Sequence, residues 1–129
     1  MGLGTGVDIL NEGNDGTTTN NTTPKPVVGL SGVSKVSIGA SHGCVLLTNG
    51  TAQCWGGDGA LGDGITGRGS SGPVTVTGLS NLTEIRSGTT FSCAMSSGHT
   101  VQCWGLNDYG NLGDTTITTR ASPVSVIGF

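Results

Sequence analysis

Apolar residues along the chain fall into short runs that are separated by segments rich in Gly, Asn, Asp, Ser and Thr. Runs containing Thr and Val, with glycine between them, are typical of short strands joined by tight turns. Ala, Leu, Glu and Lys, which long helices need, are scarce. The pattern therefore predicts an all-β fold. The predicted strands are 33–38, 42–47, 51–55 and 74–77, then 82–87, 91–96, 100–104 and 124–127, and a further strand at 25–28.

The predicted strands recur because the chain contains an internal repeat. Residues 29–56, GLSGVSKVSIGASHGCVLLTNGTAQCWG, align without a gap with residues 78–105, GLSNLTEIRSGTTFSCAMSSGHTVQCWG. Further on, ALGDG aligns with NLGDT, and PVTVTGL aligns with PVSVIGF. The repeat is roughly fifty residues long, which is in the range of propeller blades.

The N-terminal region contains part of a third copy. Leu3-Gly4-Thr5-Gly6 aligns with Leu61-Gly62-Asp63-Gly64, and the segment from Pro24 to Leu30 aligns with that from Pro73 to Leu79. We therefore predict three segments: a partial repeat at 1–30, consisting of a loop and the last strand of a blade, and blade repeats at 31–79 and 80–129. Long loops at 56–72 and 105–122 follow the third strand of each full copy.

The repeat resembles that of the regulator of chromosome condensation family. In that family a strand pair with a "DG" type of turn precedes a "WG" at the end of the third strand, which is followed by a "GxLG" motif. The matching residues are Asn49-Gly50, Trp55-Gly56 and Leu61-Gly62 in one copy, and Gly98, Trp104-Gly105 and Gly110 to Gly113 in the other. The resemblance covers almost the whole chain. It implies four-stranded blades around a propeller axis, typically seven in the family, so this chain would form about two blades and one extra strand.

The same resemblance implies what the chain does. Members of the family act through protein contacts, which include nucleotide exchange on a small GTPase, chromatin association and, in a secreted bacterial relative, inhibition of β-lactamases. We therefore expect a non-enzymatic structural or protein-binding module without a cofactor. Nucleic acid is an unfavourable partner because the formal net charge is -3 and the basic residues are scattered. A membrane span is not expected either, since no apolar run approaches the ~20 residues that it requires.

The four cysteines occupy the same places in the two copies: Cys44, Cys54, Cys93 and Cys103. A two-residue turn at Asn49-Gly50 would set Cys44 opposite Trp55. A three-residue loop at 48–50 with a left-handed glycine instead sets Cys44 opposite Cys54. Opposed residues on antiparallel strands are close enough for a disulfide bond. We therefore predict the disulfides Cys44–Cys54 and Cys93–Cys103, the latter across a loop at 97–99.

Disulfide bonds imply an oxidising compartment, so the predicted location is extracellular or at the cell surface. The alternatives are a zinc site and a catalytic thiol. Zinc favours closely spaced ligands such as C-x₂-C, and neither pair has that spacing. A catalytic thiol needs a partner, and His42 precedes Cys44, but Phe91 takes the place of His42 in the second copy. We therefore assign His42 to packing, place His99 in a solvated loop, and predict no metal or catalytic site.

The two tryptophans, Trp55 and Trp104, end the third strand of each copy and are predicted to pack between blades. If their faces were exposed, they could stack on sugars together with loop aspartates, so a glycan-binding, lectin-like module is the alternative function. The loop aspartates are Asp58, Asp63, Asp108 and Asp114. Because Asp63 and Asp114 correspond in the repeat, we expect both to accept hydrogen bonds from loop backbone amides.

Two further patterns carry weaker predictions. The run at 11–16, NEGNDG, faintly resembles a calcium loop but lacks a bidentate glutamate at the expected place. N-x-T triplets at Asn20, Asn21, Asn49 and Asn81 would be glycosylation acceptors only in a eukaryotic secretory pathway. We read both patterns as solvated, Thr-rich segments.

The repeat array leaves strand edges unpaired. The partial copy supplies a last strand at one end, and the final copy ends with its own last strand, so one strand is surplus. Exposed edges favour pairing with another chain. We therefore expect a protein partner, either the chain itself in a homo-oligomer or filament, or the rest of a longer propeller.

Overall fold

The computed structural model describes residues 3–6, 21–26, 29–56, 61–65 and 69–128. These residues form ten β-strands and no helix. The strands build one two-stranded and two four-stranded antiparallel sheets. The prediction of an all-β fold with two four-stranded blades is therefore confirmed.

The two four-stranded sheets are meanders, in which every strand pairs with the next one along the chain. The first sheet, blade 1, contains β3 (Val33–Ile38), β4 (His42–Leu47), β5 (Ala52–Gly56) and β6 (Ser70–Thr75). The second sheet, blade 2, contains β7 (Leu82–Ser87), β8 (Phe91–Ser96), β9 (Val101–Gly105) and β10 (Arg120–Ser125).

The fourth strand of each blade begins earlier than predicted, at Ser70 and Arg120 instead of residues 74 and 124. A proline, Pro73 or Pro123, lies inside each of these strands. Proline lacks the N–H that a central strand needs, but both strands are sheet edges, where the missing donor breaks no ladder. A register shift accompanies the proline in each case.

The N-terminal segment forms two strands, β1 (Leu3–Gly6) and β2 (Asn21–Pro26), where one strand at 25–28 is predicted. Residues 27 and 28 lie outside the described residues. Gly4 pairs with Lys25 and Gly6 with Asn21. The register shift between these two pairs also occurs between β5 and β6 of blade 1 and between β9 and β10 of blade 2. β1 therefore takes the place of a third blade strand. The alignment of Leu3-Gly4-Thr5-Gly6 with the loop motif Leu61-Gly62-Asp63-Gly64 is wrong, because three identical residues do not fix a register.

The main apolar core lies between the blades. Side chains of β4 and β5 form one cluster with side chains of β7, β8 and β9. A second cluster, centred on Val45 and Trp55, lies on the other face of blade 1. Neighbouring residues of a strand point to opposite faces, so Cys44 and Val45 belong to different clusters. Each blade therefore has two faces, and each face has its own partners.

Candidate functional site

The central hairpin of each blade sets the register of its disulfide. In blade 1, the backbone N–H of Leu47 donates to Thr51 and that of Gly50 to Leu47, which closes a three-residue loop at 48–50. In blade 2, Ser96 donates to Thr100 and His99 to Ser96 in the same way. Cys44 therefore lies opposite Cys54, and Cys93 opposite Cys103, and the structure contains both disulfides.

The contact between the blades involves the trailing face of blade 1 and the leading face of blade 2. We define the trailing face as the side of a blade that points to the next blade along the chain, and the leading face as the opposite side. In blade 1 the trailing face carries His42, Cys44, Leu46, Ala52 and Cys54, all of which are at most 3% exposed. The leading face of blade 2 carries Ile85, Ser92, Ala94 and Trp104, which are equally buried.

Trp104 anchors the contact between the blades. Its indole ring lies over Gly62 of blade 1, where an added Cβ would come within 2.8 Å of both Trp104 Nε1 and Val76 Cγ1. Gly62 has a φ of +81°, so glycine is favoured there by conformation as well as by space. Because Trp104 has no exposed surface, its role is packing between blades.

A polar contact lies in the same interface. His42 Nε2 is 2.9 Å from Ser92 Oγ, and Ser92 Oγ is 3.2 Å from Ser87 Oγ and 3.5 Å from Cys44 Sγ. Ser87 also donates its backbone N–H to Ser37 Oγ at 2.7 Å. The sequence pattern does not predict this network, because the residues that meet across the interface are about fifty positions apart and come together only when the blades stack. Ser92 is fully buried, so the His42–Ser92 pair does not present a nucleophile to a substrate.

An ion pair links the first strands of the two blades. Lys35 Nζ lies 2.9 Å from Glu84 Oε2, and Arg86 lies 2.8 Å from the other oxygen of the same carboxylate. The hydrogen bond from Lys35, supported by the charge of Arg86, holds the pKa of Glu84 below its usual value. The pair is largely exposed, so it contributes to the pairing of specific blades more than to stability.

The other two blade faces are partly uncovered. On the leading face of blade 1, Val36 is 47% and Ile38 is 59% exposed, whereas Ile85, which is equivalent to Val36, is 1% exposed in blade 2. On the trailing face of blade 2, Phe91, Met95 and Val101 are half-buried. Apolar residues thus remain accessible at the positions that form the core between the blades.

The loop after the third strand of blade 2 is held by a buried polar network. Asn107 is fully buried and donates from Nδ2 to the backbone oxygens of Thr116 and Thr118, at 3.0 and 3.1 Å, and to Asp114 Oδ1. Its Oδ1 accepts the backbone N–H of Leu112, which places the Leu112 side chain in the interior. Tyr109 and Ile117 of this loop are 95% and 71% exposed.

Asp114 forms the charged end of this network. Its Oδ1 accepts the hydroxyl and the backbone N–H of Thr116, and its Oδ2 accepts Arg120 Nε at 2.7 Å. These hydrogen bonds, with Thr116 as the largest contributor, lower the pKa of Asp114 to about 2. In blade 1, Asp63 accepts the backbone N–H of Ile65. The prediction that both aspartates accept loop amides is therefore confirmed, while Asn107 and Arg120 were missed because each lies several residues from Asp114.

One known protein family matches a segment in each of the two blades. The model of the "Regulator of chromosome condensation (RCC1) repeat" matches residues 33–60 and 83–111. Each matched segment begins in the first strand of a blade and ends after the tryptophan of that blade. Each blade is therefore similar to an RCC1 repeat over this segment.

Solved structures show the same fold. Human WBSCR16 gives a TM-score of 0.77 at 23% identity, and the match covers 94% of this chain and 33% of that one. A chain in the structure of Kap60 bound to yeast RCC1 (Prp20) gives a TM-score of 0.78 at 14% identity, covering 96% and 32%. Prp20p from Saccharomyces cerevisiae, described with its binding to Gsp1p and histones, gives 0.67 at 12%, covering 92% and 31%. This chain spans about a third of each, and no curated protein matches it significantly.

The structure places the predicted site residues in the packed blades and in their loops. Trp55 and Trp104 are both fully buried, so the glycan-binding alternative loses the two rings on which it depended. His42 is buried in the interface between the blades, and His99 is exposed in its loop. Among the described residues, no group of three or more His, Cys, Asp or Glu side chains could hold a metal ion. In the same part of the chain, no helix is long and apolar enough to cross a membrane.

Some sequence predictions fall on other parts of the chain. Asp58, Asn20 and the run at 11–16 lie outside the described residues. Asn49 accepts the backbone N–H of Thr51 at 3.1 Å in its hairpin loop, and Asn81 adopts a φ of +55° next to β7. Both asparagines therefore have local turn roles.

Proposed function

We propose that the chain is a non-enzymatic protein-binding module of the RCC1-repeat type, and that its partly uncovered blade faces are its binding surfaces. The observation that carries the proposal is the difference between Val36, at 47% exposed, and its buried counterpart Ile85. The same repeat position is a core residue where a blade covers it and a surface residue where none does. Exposed apolar groups at such positions are typical of protein interaction sites.

The proposal includes self-assembly. Both partly uncovered faces occur on one chain, and each has the residue pattern of a face that another blade covers in this same chain. A chain with two complementary faces associates head to tail, which gives a ring if the rotation closes and a filament if it does not. The yeast RCC1 (Prp20) structure with Kap60 supports a protein partner for such propellers.

We further propose an extracellular or cell-surface location. Two disulfides in a chain without free cysteines support it, because reducing compartments keep thiols reduced. Intact mass with and without reduction, measured on protein purified from an oxidising and from a reducing compartment, tests this part. A chain that is fully reduced after secretion contradicts it.

Sedimentation velocity over a hundredfold range of protein concentration tests the binding function. We expect the mean mass to rise with concentration. A folded monomer at every concentration would contradict self-assembly, and the binding function would then depend on a different protein. Capture of such a partner has to be lost when Val36 and Ile38 are replaced by serine.

A further inference from the structure

We propose that the trailing face of blade 2 binds the leading face of blade 1 in a second copy of this chain. The inference rests on the proposed self-assembly and specifies its surfaces, its direction and what opposes it. The interface between blades 1 and 2 is the template, since the same repeat positions face each other in both contacts. Three independent features of the uncovered faces fit this occupant.

The first feature is a paired exchange of polar for apolar groups. In the interface within the chain, His42 of one face contacts Ser92 of the other, and Ser92 contacts Ser87 next to it. The equivalent position on the trailing face of blade 2 is Phe91. The equivalents of Ser92 and Ser87 on the leading face of blade 1 are Gly43 and Ile38, and both the Trp55 ring and the Ile38 side chain lie over Gly43. In the second contact, the Phe91 ring would thus face Gly43 and Ile38 instead of serines. Compared with the contact inside the chain, the residues on both sides have therefore changed from polar to apolar together.

The second feature is charge. Within the chain, Lys35 on β3 forms an ion pair with Glu84 on β7. Lys35 and Glu84 occupy the same repeat position in blades 1 and 2. In the second contact, Glu84 of one copy would therefore lie where Lys35 lies in the first contact, and Lys35 of the other copy would lie where Glu84 lies. Opposite charges therefore meet again with the signs exchanged, whereas like charges at this position would oppose the contact.

The third feature is a preformed slot for a tryptophan. Trp104 packs over Gly62 against Val76. In blade 2, Gly113 has a φ of +69° and an added Cβ would lie 3.0 Å from Val126 Cγ1, so the pair repeats Gly62 and Val76. Gly113 also lines a surface depression with Gly110, Thr116 and Ile117. Trp55 of the second copy is the residue that the repeat places over this slot, and because Trp55 is fully buried in its own chain, it has to leave its present contacts to bind there.

The strand pair β1–β2 opposes this contact. The register of β1–β2 is that of the two outer strands of a blade, so this pair corresponds to the outer strands of a blade before blade 1. In the proposed contact, β9 and β10 of the other copy would occupy the same place. A disulfide ties β9 to β8, so blade 2 keeps its outer strands. β1 has Gly4 and Thr5 at the positions of the cysteine and the tryptophan. We infer that β1–β2 is the pair that gives way.

Two charge substitutions test the direction of assembly. Phe91→Glu blocks the trailing face of blade 2, and Ile38→Glu blocks the leading face of blade 1. Each variant alone should lose association by about 100-fold, since a charge is buried at the contact. Mixed together, the two variants should form a 1:1 heterodimer and nothing larger, because each one keeps a single competent face. Sedimentation velocity, with one variant carrying a mass or fluorescent label, gives the stoichiometry.

The controls keep the test independent of folding. Met95→Glu is a second variant of the trailing face and should behave like Phe91→Glu, while Ser97→Glu adds the same charge to the exposed β8–β9 loop and should assemble normally. Thermal unfolding of each variant shows that the blades are intact. If the wild-type chain assembles but Phe91→Glu and Met95→Glu assemble equally well, the surfaces proposed here are wrong and self-assembly stands. If the mixture contains no heterodimer, the head-to-tail direction is wrong. If the wild-type chain never assembles, the proposed self-assembly itself fails.

Discussion

Blades 1 and 2 have the same strand order, the same hairpin loops, a disulfide and a buried tryptophan, yet their equivalent side chains differ in exposure. Cys44 and Cys54 are fully buried between the blades, whereas the equivalent Cys93 is half-buried. Val36 is exposed where Ile85 is buried. The repeat determines the backbone and register, whereas the neighbouring blade determines which face becomes core. The contribution of a residue to stability therefore depends on the place of its blade in the array.

The largest expected difference between the blades concerns their disulfides. Cys44→Ala with Cys54→Ala removes a cross-link and also packing from the core between the blades. Loss of a native disulfide from a small domain typically costs about 2–5 kcal/mol, so we expect a value near the upper end for blade 1. Cys93→Ala with Cys103→Ala should lie nearer the lower end. Urea unfolding of both double variants gives the two free energies. Equal losses would contradict the idea that burial separates the two disulfides.

A smaller effect is expected at the polar contact between the blades. His42→Phe introduces the residue that blade 2 has at this position, but Ser92 Oγ then loses a buried partner, which costs about 1–3 kcal/mol. Ser92→Gly in the same chain introduces the glycine that blade 1 has at the equivalent position, Gly43. We therefore expect the double variant to be less destabilised than the sum of the single variants. Urea unfolding of the four proteins measures the coupling, and additive effects would argue against the paired exchange.

Local features of both blades could be predicted from the sequence, because they depend on neighbouring residues. The position of Gly50 selected the three-residue loop, and that loop set Cys44 opposite Cys54. The contact of His42 with Ser92 depends on how one blade stacks on the next, which no local pattern encodes. The register of β1 was missed for a different reason: Gly4 and Thr5 have replaced the Cys-Trp pair that identifies the third strand elsewhere.

The loops of the two blades should also differ in their response to acid. The pKa of Asp114 is lowered to about 2 by its hydrogen bonds to Thr116, Arg120 and Asn107. Because the folded pKa lies below the unfolded one, the stabilisation is complete above about pH 4 and is lost as the pH falls to about 2. Thermal unfolding between pH 5 and pH 2 should therefore show a smaller fall in Tm for Asp114→Asn than for the wild type.

Asp63→Asn is the matched control in blade 1. Asp63 occupies the equivalent position, but the residues that correspond to Thr116 and Arg120 are Ile65 and Ser70. This variant leaves Asp114 and its hydrogen bonds in place, so the acid-dependent loss of stability that Asp114 contributes should remain. If Asp63→Asn and Asp114→Asn flatten the pH profile equally, the network around Asp114 is not the source of the difference.

The smallest expected effect lies in the hairpin loops, and it runs in the stabilising direction. Gly50 and His99 occupy the same loop position with φ values of +83° and +63°. A side chain with a Cβ is strained there, whereas glycine is not. His99 is exposed, so its replacement loses no buried contact. His99→Gly relieves the backbone strain but makes the unfolded chain more flexible, and we expect a net rise in the free energy of unfolding of about 0.5–1 kcal/mol. His99→Ala keeps the Cβ and should give no such gain. If urea unfolding finds the alanine and glycine variants equally stable, the conformational difference between the two loops has no energetic consequence.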